Sequence, residues 1–175
     1  YMKAAMRVLR YALTTRNYKL VTKKTENSMR ITCYTDSDFC GEKETRKSTS
    51  GVIMLINDCP VTWLSRKQPM IAQSTCEAEF IATCEGTKEC LWLTNLLSEM
   101  EIEFTSPIPI YSDNMSSIAL IKNNNFHNKT KHIDYRMKLT REEEKKGTVF
   151  TQFVKTQNQL ADLLTKPLPK QRHEE

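Results

Sequence analysis

Apolar and polar positions change period several times along this chain, and the changes mark out its elements. Over residues 2–13, MKAAMRVLRYAL, apolar residues recur at three and four, with Lys3, Arg7 and Arg10 on the other side, so the segment predicts an amphipathic helix. Residues 16–30 are polar and basic and read as a connection. ITCYTDSDF (31–39) alternates bulky and β-branched residues and predicts a strand. A hydrophilic loop, CGEKETRKSTSG, follows. GVIMLIN (51–57) and PVTWLSR (60–66) then predict two strands joined by a tight turn at Asn57-Asp58. From Ser74 to Met100 the period becomes helical, with Phe80, Ile81, Cys84, Leu91, Leu96 and Leu97 on the repeat. Ser74 and Glu77 have capping-box spacing at its start.

PIPIYS (107–112) predicts a short strand with Pro109 at its first position, because proline cannot donate within a central ladder. Helices over 114–122 and 131–146 flank a polar loop at 123–131, and Gly147 stops the second of them. TVFTQFV (148–154) is the last predicted strand, and residues 158–165 a short helix stopped by Pro167. The order β-β-β-α-β-α-α-β-α predicts an α/β fold: a mixed five-stranded sheet, part antiparallel meander and part parallel strands, with helices packed on it. If the helix 74–100 returns the chain beside its first strand, Asp36 and Asp113 lie near the carboxyl ends of parallel neighbours. Ligands bind at such a point.

The 175 residues fit one domain, or one domain with an arm, and a 39% apolar fraction can close a core. No run approaches membrane-spanning length, which predicts no membrane partner. No secretory signal is visible, and an opening at Tyr1 predicts a piece cut from a longer chain. The six cysteines contain no C-x-x-C pair, and with three scattered histidines they predict core thiols rather than a zinc site. Trp63 and Trp92 read as core residues. The net charge of +5 divides into eight bases and one acid over 1–30, six bases and thirteen acids over 31–117, and twelve bases and seven acids over 118–175. An acidic centre with basic flanks suits a polyanion held by its backbone while carboxylates hold cations against it. A mosaic of solvated charge explains the same numbers. The first helix is accordingly either a basic arm against nucleic acid or the end of a preceding domain.

Four acids could converge: Asp36, an acid of the long helix, Asp113 and Asp162. Asp36 and Asp38 share one face of their strand, where packing gives no reason for carboxylates. Glu77 and Glu79 stand about 200° apart around the helix, so only one can face a site. Glu77 has the cap to serve, whereas Glu79 is followed by Ala82 and Gly86, small residues that let its face approach the sheet. Glu79 is therefore the choice. Carboxylates of this kind hold Mg²⁺, and two such ions about 4 Å apart stabilise the attacking and leaving oxygens of phosphodiester hydrolysis. By spacing alone, Asp113 and Asp162 are better explained as acids complementing helix dipoles.

The strings YTDSDFCGEKETRKSTSG, STCEAEFIATCEGTKECLWL, IYSDNMSSIAL, KTKHIDYRMKLTREE and QLADLLTKPLP resemble the ribonuclease H domain of copia-type retrotransposon Pol polyproteins, in order over about residues 30–169. MRVLRYAL followed by RNYKL resembles the end of the reverse transcriptase region upstream of it. The resemblance implies an RNase H-like fold and Mg²⁺-dependent cleavage of RNA in RNA–DNA hybrids, with two ions and Mn²⁺ able to substitute. It also implies a D-E-D-D site on Asp36, Glu79, Asp113 and Asp162. It divides the chain into a reverse transcriptase tail (1–29), an RNase H-like domain (30–169) and a polar end (170–175). The implied partners are the hybrid and the upstream reverse transcriptase domain. The implied place is an intracellular, cytoplasmic particle with access to the nucleus. The chain departs from the family at Phe39-Cys40 and at Phe80, while VKTQNQLAD lacks the histidine that cellular ribonucleases H carry there, as the copia-type pattern generally does.

Arg46, Lys47 and Ser48 in the hairpin loop, and Lys67 and Gln68 before the long helix, are candidate nucleic-acid contacts, the Lys and Arg side chains to phosphates. Gln73, Ser74 and Thr75 are candidate ribose contacts, and Asn114 either touches RNA or caps its helix. Solvated loops and a helix cap explain the same residues. His127 and His132 read as structural, and Asp38 as support for Asp36 or as solvated. Two rival readings remain: an inactive or domesticated nucleic-acid-binding module, and an integrase-like or resolvase-like nuclease on the same fold.

Overall fold

A computed structural model describes residues 1–22, 28–123 and 131–174, the side chains of 131–137 and 173–174 excepted. His127 and the His132 side chain lie outside the described residues. The elements are α1 (Met2–Thr15), β1 (Met29–Asp38), β2 (Thr49–Ile56), β3 (Cys59–Lys67), α2 (Thr75–Glu99), β4 (Phe104–Thr105), β5 (Ile108–Ser112), α3 (Met115–Lys122), α4 (Lys131–Lys146), β6 (Val149–Phe153) and α5 (Lys170–Glu174). Two 3-10 turns, Thr156–Asn158 and Leu160–Leu164, stand where the sequence predicts one α-helix.

The predicted five strands form the path β3-β2-β1-β5-β6, and a sixth, β4, pairs with β1 off this path. β1–β2 and β2–β3 are antiparallel, while β1–β5 and β5–β6 are parallel. Asn57 and Asp58 both take positive φ in the β2–β3 turn, the backbone of a tight hairpin. Pro109 occupies the second position of β5, not the first. Ile108 donates to Thr148 O on the β6 side, so the missing N–H of Pro109 falls on the β1 side, where pairing begins only at Ile110.

One side of the sheet packs on α2. Ile31, Cys33, Val52, Met54, Ile108, Ile110 and Val149 meet Cys90, Leu93 and Leu97 in the main core, and Phe80, Ile81, Cys84 and Ile121 form a second cluster. Gly86 sits where α2 presses closest on β1: a Cβ there would lie 2.5 Å from Thr35 Cγ2 and 3.2 Å from Cys33 Sγ. Gly86→Val is expected to cost at least about 2 kcal/mol through overpacking, read as a lower denaturant midpoint with an unchanged slope. α4 is tied to α3 by Arg141, whose guanidinium donates to Leu120 O, Ile121 O and Asn123 O and so satisfies the carbonyls at the end of α3.

Trp63 and Trp92 are not core residues; they are 56% and 54% exposed. Trp63 lies on the edge strand β3, and Trp92 on the outward side of α2. The bulk of an aromatic residue does not say which side of an element is covered. No residue of α1 is buried, and no described helix is long and apolar enough to cross a membrane. All six cysteines are free.

Candidate active site

The parallel register of β1 and β5 sets Tyr34 beside Tyr111. Two residues on, Asp36 and Asp113 therefore emerge side by side at the carboxyl ends of neighbouring strands. Glu79 comes from the second turn of α2. Its helix begins at Ser74, which accepts from Glu77 N, and Glu77 reaches back to Gln73 N at 2.8 Å. Glu77 is thus held by the cap, while Glu79 faces the sheet. Ligand oxygens of Asp36, Glu79 and Asp113 all lie within 4.8 Å of one another. Asp36 and Glu79 are buried, and Asp113 is half-buried.

Asp162 is not within that group of three. It is buried in the 3-10 turn Leu160–Leu164, and its carboxylate is turned onto two cations: Lys166 Nζ lies 2.8 Å from Oδ1 and Arg172 Nη2 3.3 Å from Oδ2. Lys166 Nζ also lies 3.7 Å from Asp36 Oδ2, which accepts a hydrogen bond from Thr165 Oγ1. The turn rests directly on the sheet because β2 has a glycine beneath it: a Cβ on Gly51, the partner of Asp36 in the ladder, would meet Ala161 O at 2.8 Å. Gln159, just before it, is buried and donates to Thr35 O, which anchors the turn to β1.

Ser37 N and Oγ donate to Glu79 Oε1 at 3.2 and 3.0 Å, but Glu79 Oε2 is buried and accepts no hydrogen bond from the described residues. Thr156 Oγ1 donates to Asp113 Oδ2 at 2.7 Å. Burial, together with the charges of Asp36 and Asp113, outweighs the Ser37 contacts and pushes the Glu79 pKa up to about 8. Burial also raises Asp36, against the Thr165 hydroxyl and Lys166. Burial works against the charge of Lys166, yet Asp162, Asp36 and Asp113 hold its pKa above the ordinary lysine value. A buried carboxylate oxygen without a donor, inside an all-carboxylate cluster, fits a hard divalent cation such as Mg²⁺ or Mn²⁺.

No family model matches the chain. The chain is 36% identical over 168 residues, 96% of its length, to the retrovirus-related Pol polyprotein from transposon RE1 of Arabidopsis thaliana, and it spans 11% of that relative. Among solved structures, LC11-RNase H1, crystallised in complex with an RNA/DNA hybrid, superposes with a TM-score of 0.57 at 10% identity, over 78% of this chain and 94% of that one. The prototype foamy virus protease-reverse transcriptase superposes with a TM-score of 0.56 at 16% identity, over 85% of this chain and 22% of that one. The chain is homologous to one segment of retrovirus-related Pol polyproteins and has a ribonuclease H fold.

On this ribonuclease H fold the other sequence candidates fall into two groups. Arg46, Lys67, Gln73, Ser74 and Thr75 are exposed, and Lys47 is half-buried. Lys67 stands at the acidic end of the sheet: Asp38 pairs with Thr49, and Thr49 with Lys67. Lys67 is ion-paired with Glu42. Ser48 and Gln68, expected at a nucleic-acid surface, are instead buried. Ser48 Oγ accepts from Cys40 N, and Gln68 Nε2 donates to Ser50 Oγ and Ala78 O. Their polarity serves the backbone of two loops. Asn114 caps α3, its side chain accepting from Ser117 N. Asp38 braces the hairpin, accepting from Thr49 N.

The sequence reading passed over Ser37, Thr156, Thr165 and Lys166, all of which touch the acids. Lys166 carried a usable signal, standing four residues after Asp162 as a basic partner one turn on.

Proposed function

We propose that this chain is an endoribonuclease that hydrolyses the RNA strand of RNA–DNA hybrids with two divalent ions during retrotransposon reverse transcription. The observation that carries the reading is the meeting of Asp36, Glu79 and Asp113 at one end of a ribonuclease H sheet, with Asp162 alongside. Asp36, Glu79, Asp113 and Asp162 would hold the ions, which when bound supply activation of water and stabilisation of the departing 3′ oxygen. The residues around them do the positioning. Ser37 fixes Glu79 by one oxygen and leaves the other free of protein donors among the described residues, Thr156 fixes Asp113, and Thr165 fixes Asp36. Residues 1–29 would be the tail of an upstream reverse transcriptase domain, a reading supported by the Pol relative and the foamy virus neighbour.

Arg46 and Lys47 would contact hybrid phosphates, and the exposed Gln73, Ser74 and Thr75 would reach ribose hydroxyls. The double variant Arg46→Ala/Lys47→Ala is expected to weaken hybrid binding and to reduce the slope of log affinity against log salt by about 1–2. The test of the whole reading is cleavage of a labelled RNA–DNA hybrid by the purified chain with Mg²⁺, beside duplex DNA and duplex RNA. Selective cutting of the RNA strand is the expected result. Binding without cutting would instead support an inactive module, and cutting of duplex DNA an integrase-like or resolvase-like enzyme.

A further inference from the structure

The Lys166 ammonium bridges two of the four acids: it lies 2.8 Å from Asp162 Oδ1 and 3.7 Å from Asp36 Oδ2. Both carboxylates are 2% exposed, so a positive charge beside them acts in surroundings that screen it poorly. Among the described residues Asp162 Oδ1 accepts no well-directed hydrogen bond, and this ion pair is its close contact. Arg172 holds the other oxygen of Asp162 and has a second anchor at Thr156 O, which fixes it in place. Lys166 is differently built. Among the described residues its ammonium ion-pairs only with the two site carboxylates, and its side chain is 42% exposed. It also borders a cavity lined by Tyr11, Tyr18, Leu163 and Leu168, into which a flexible four-carbon stem can swing.

We propose that Lys166 competes with a divalent cation for Asp36 and Asp162, and so sets how tightly this site holds its ions. The proposal rests on the reading of the four acids as a divalent-cation site. The charge is close, in a carboxylate cluster whose self-repulsion it offsets, and it can withdraw without unpacking the core. A divalent ion entering the cluster must either displace this ammonium or sit a few ångströms from it. Even at a water-like dielectric, a unit charge about 4 Å from a divalent ion changes its affinity by on the order of tenfold or more. Asp162 would then turn from Lys166 toward the other three acids as the lysine leaves.

The test is Mg²⁺ titration of the purified chain, following the rise in thermal unfolding temperature from a chelator-treated start. Wild type is compared with Lys166→Gln, Lys166→Arg and Asp36→Asn. Lys166→Gln is expected to unfold at a lower temperature without Mg²⁺ and to reach half of its Mg²⁺-induced rise at roughly tenfold lower concentration. Lys166→Arg, which keeps the charge, is expected to titrate at or above the wild-type midpoint. A Lys166→Gln midpoint equal to or higher than wild type overturns the proposal. If at the same time the wild type responds to Mg²⁺ and Asp36→Asn does not, only the role of the lysine is lost. If the wild type shows no response, or Asp36→Asn keeps it, the cation site itself is wrong and the proposal falls with it.

Discussion

Asp36→Asn, or Asp113→Asn, is expected to remove Mg²⁺-dependent hybrid cleavage by roughly three orders of magnitude or more while hybrid binding largely survives. Asp36 is the most connected acid of the site: it is ladder partner to Gly51, acceptor from Thr165, and neighbour of Lys166, Glu79 and Asp113. Asparagine keeps its size and one acceptor oxygen, so the sheet and the turn above it have no reason to shift. What is lost is a negative charge where the proposed ions would be held, and cation stabilisation of a phosphodiester transition state is on the order of several kcal/mol. The bases around the hairpin are untouched, so the phosphate contacts proposed for them would remain. The measurement is single-turnover cleavage beside equilibrium binding to the same hybrid. Normal cutting by either variant would sink the site.

The second large effect is on stability. In chelator-containing buffer, Glu79→Gln is expected to stabilise the chain near pH 8 and to flatten its pH dependence. The Glu79 pKa is raised from an ordinary 4.5 to about 8, first by burial and then by Asp36. Between these values the folded chain holds a proton that the unfolded chain has released. Stability therefore falls as pH rises through this window, and the penalty is complete above the folded value. Its size is on the order of a few kcal/mol, equivalent to roughly 5–10 °C in unfolding temperature. Glutamine imitates the protonated acid and still accepts from Ser37 through Oε1. Thermal unfolding from pH 5 to pH 8.5 should show a falling curve for wild type and a flatter one for the variant. Mg²⁺ should reduce the difference, because a bound cation favours the ionised form.

Periodicity revealed most of the architecture because the elements are long and half-buried. β1 announces itself by alternation, β2 by an unbroken apolar run and α2 by helical spacing, and the single crossover through α2 makes β1 and β5 parallel, which aligns Asp36 with Asp113. Choosing Glu79 over Glu77 needed only the helical angle and the small residues Ala82 and Gly86. Other features left no such trace. β4 has two residues, too few to show a period. The LADLL run reads as α-helix, whereas its close seat on Gly51 and the buried Gln159 anchor belong to a 3-10 turn. Ser48 and Gln68 are buried by loops folding back on backbone groups, and composition registers only their polarity. Thr165 and Lys166 reach Asp36 across a sequence distance that no local pattern spans.

Three of the acids stand on the sheet and its first covering helix, but Asp162 arrives on a turn near the far end of the chain, held by Gln159, Thr165 and its two cations. During translation the sheet through β6 can form while this segment is still inside the ribosome. A nascent chain therefore gains its fourth carboxylate last. Any product ending before Gln159 would carry a nearly complete scaffold without it.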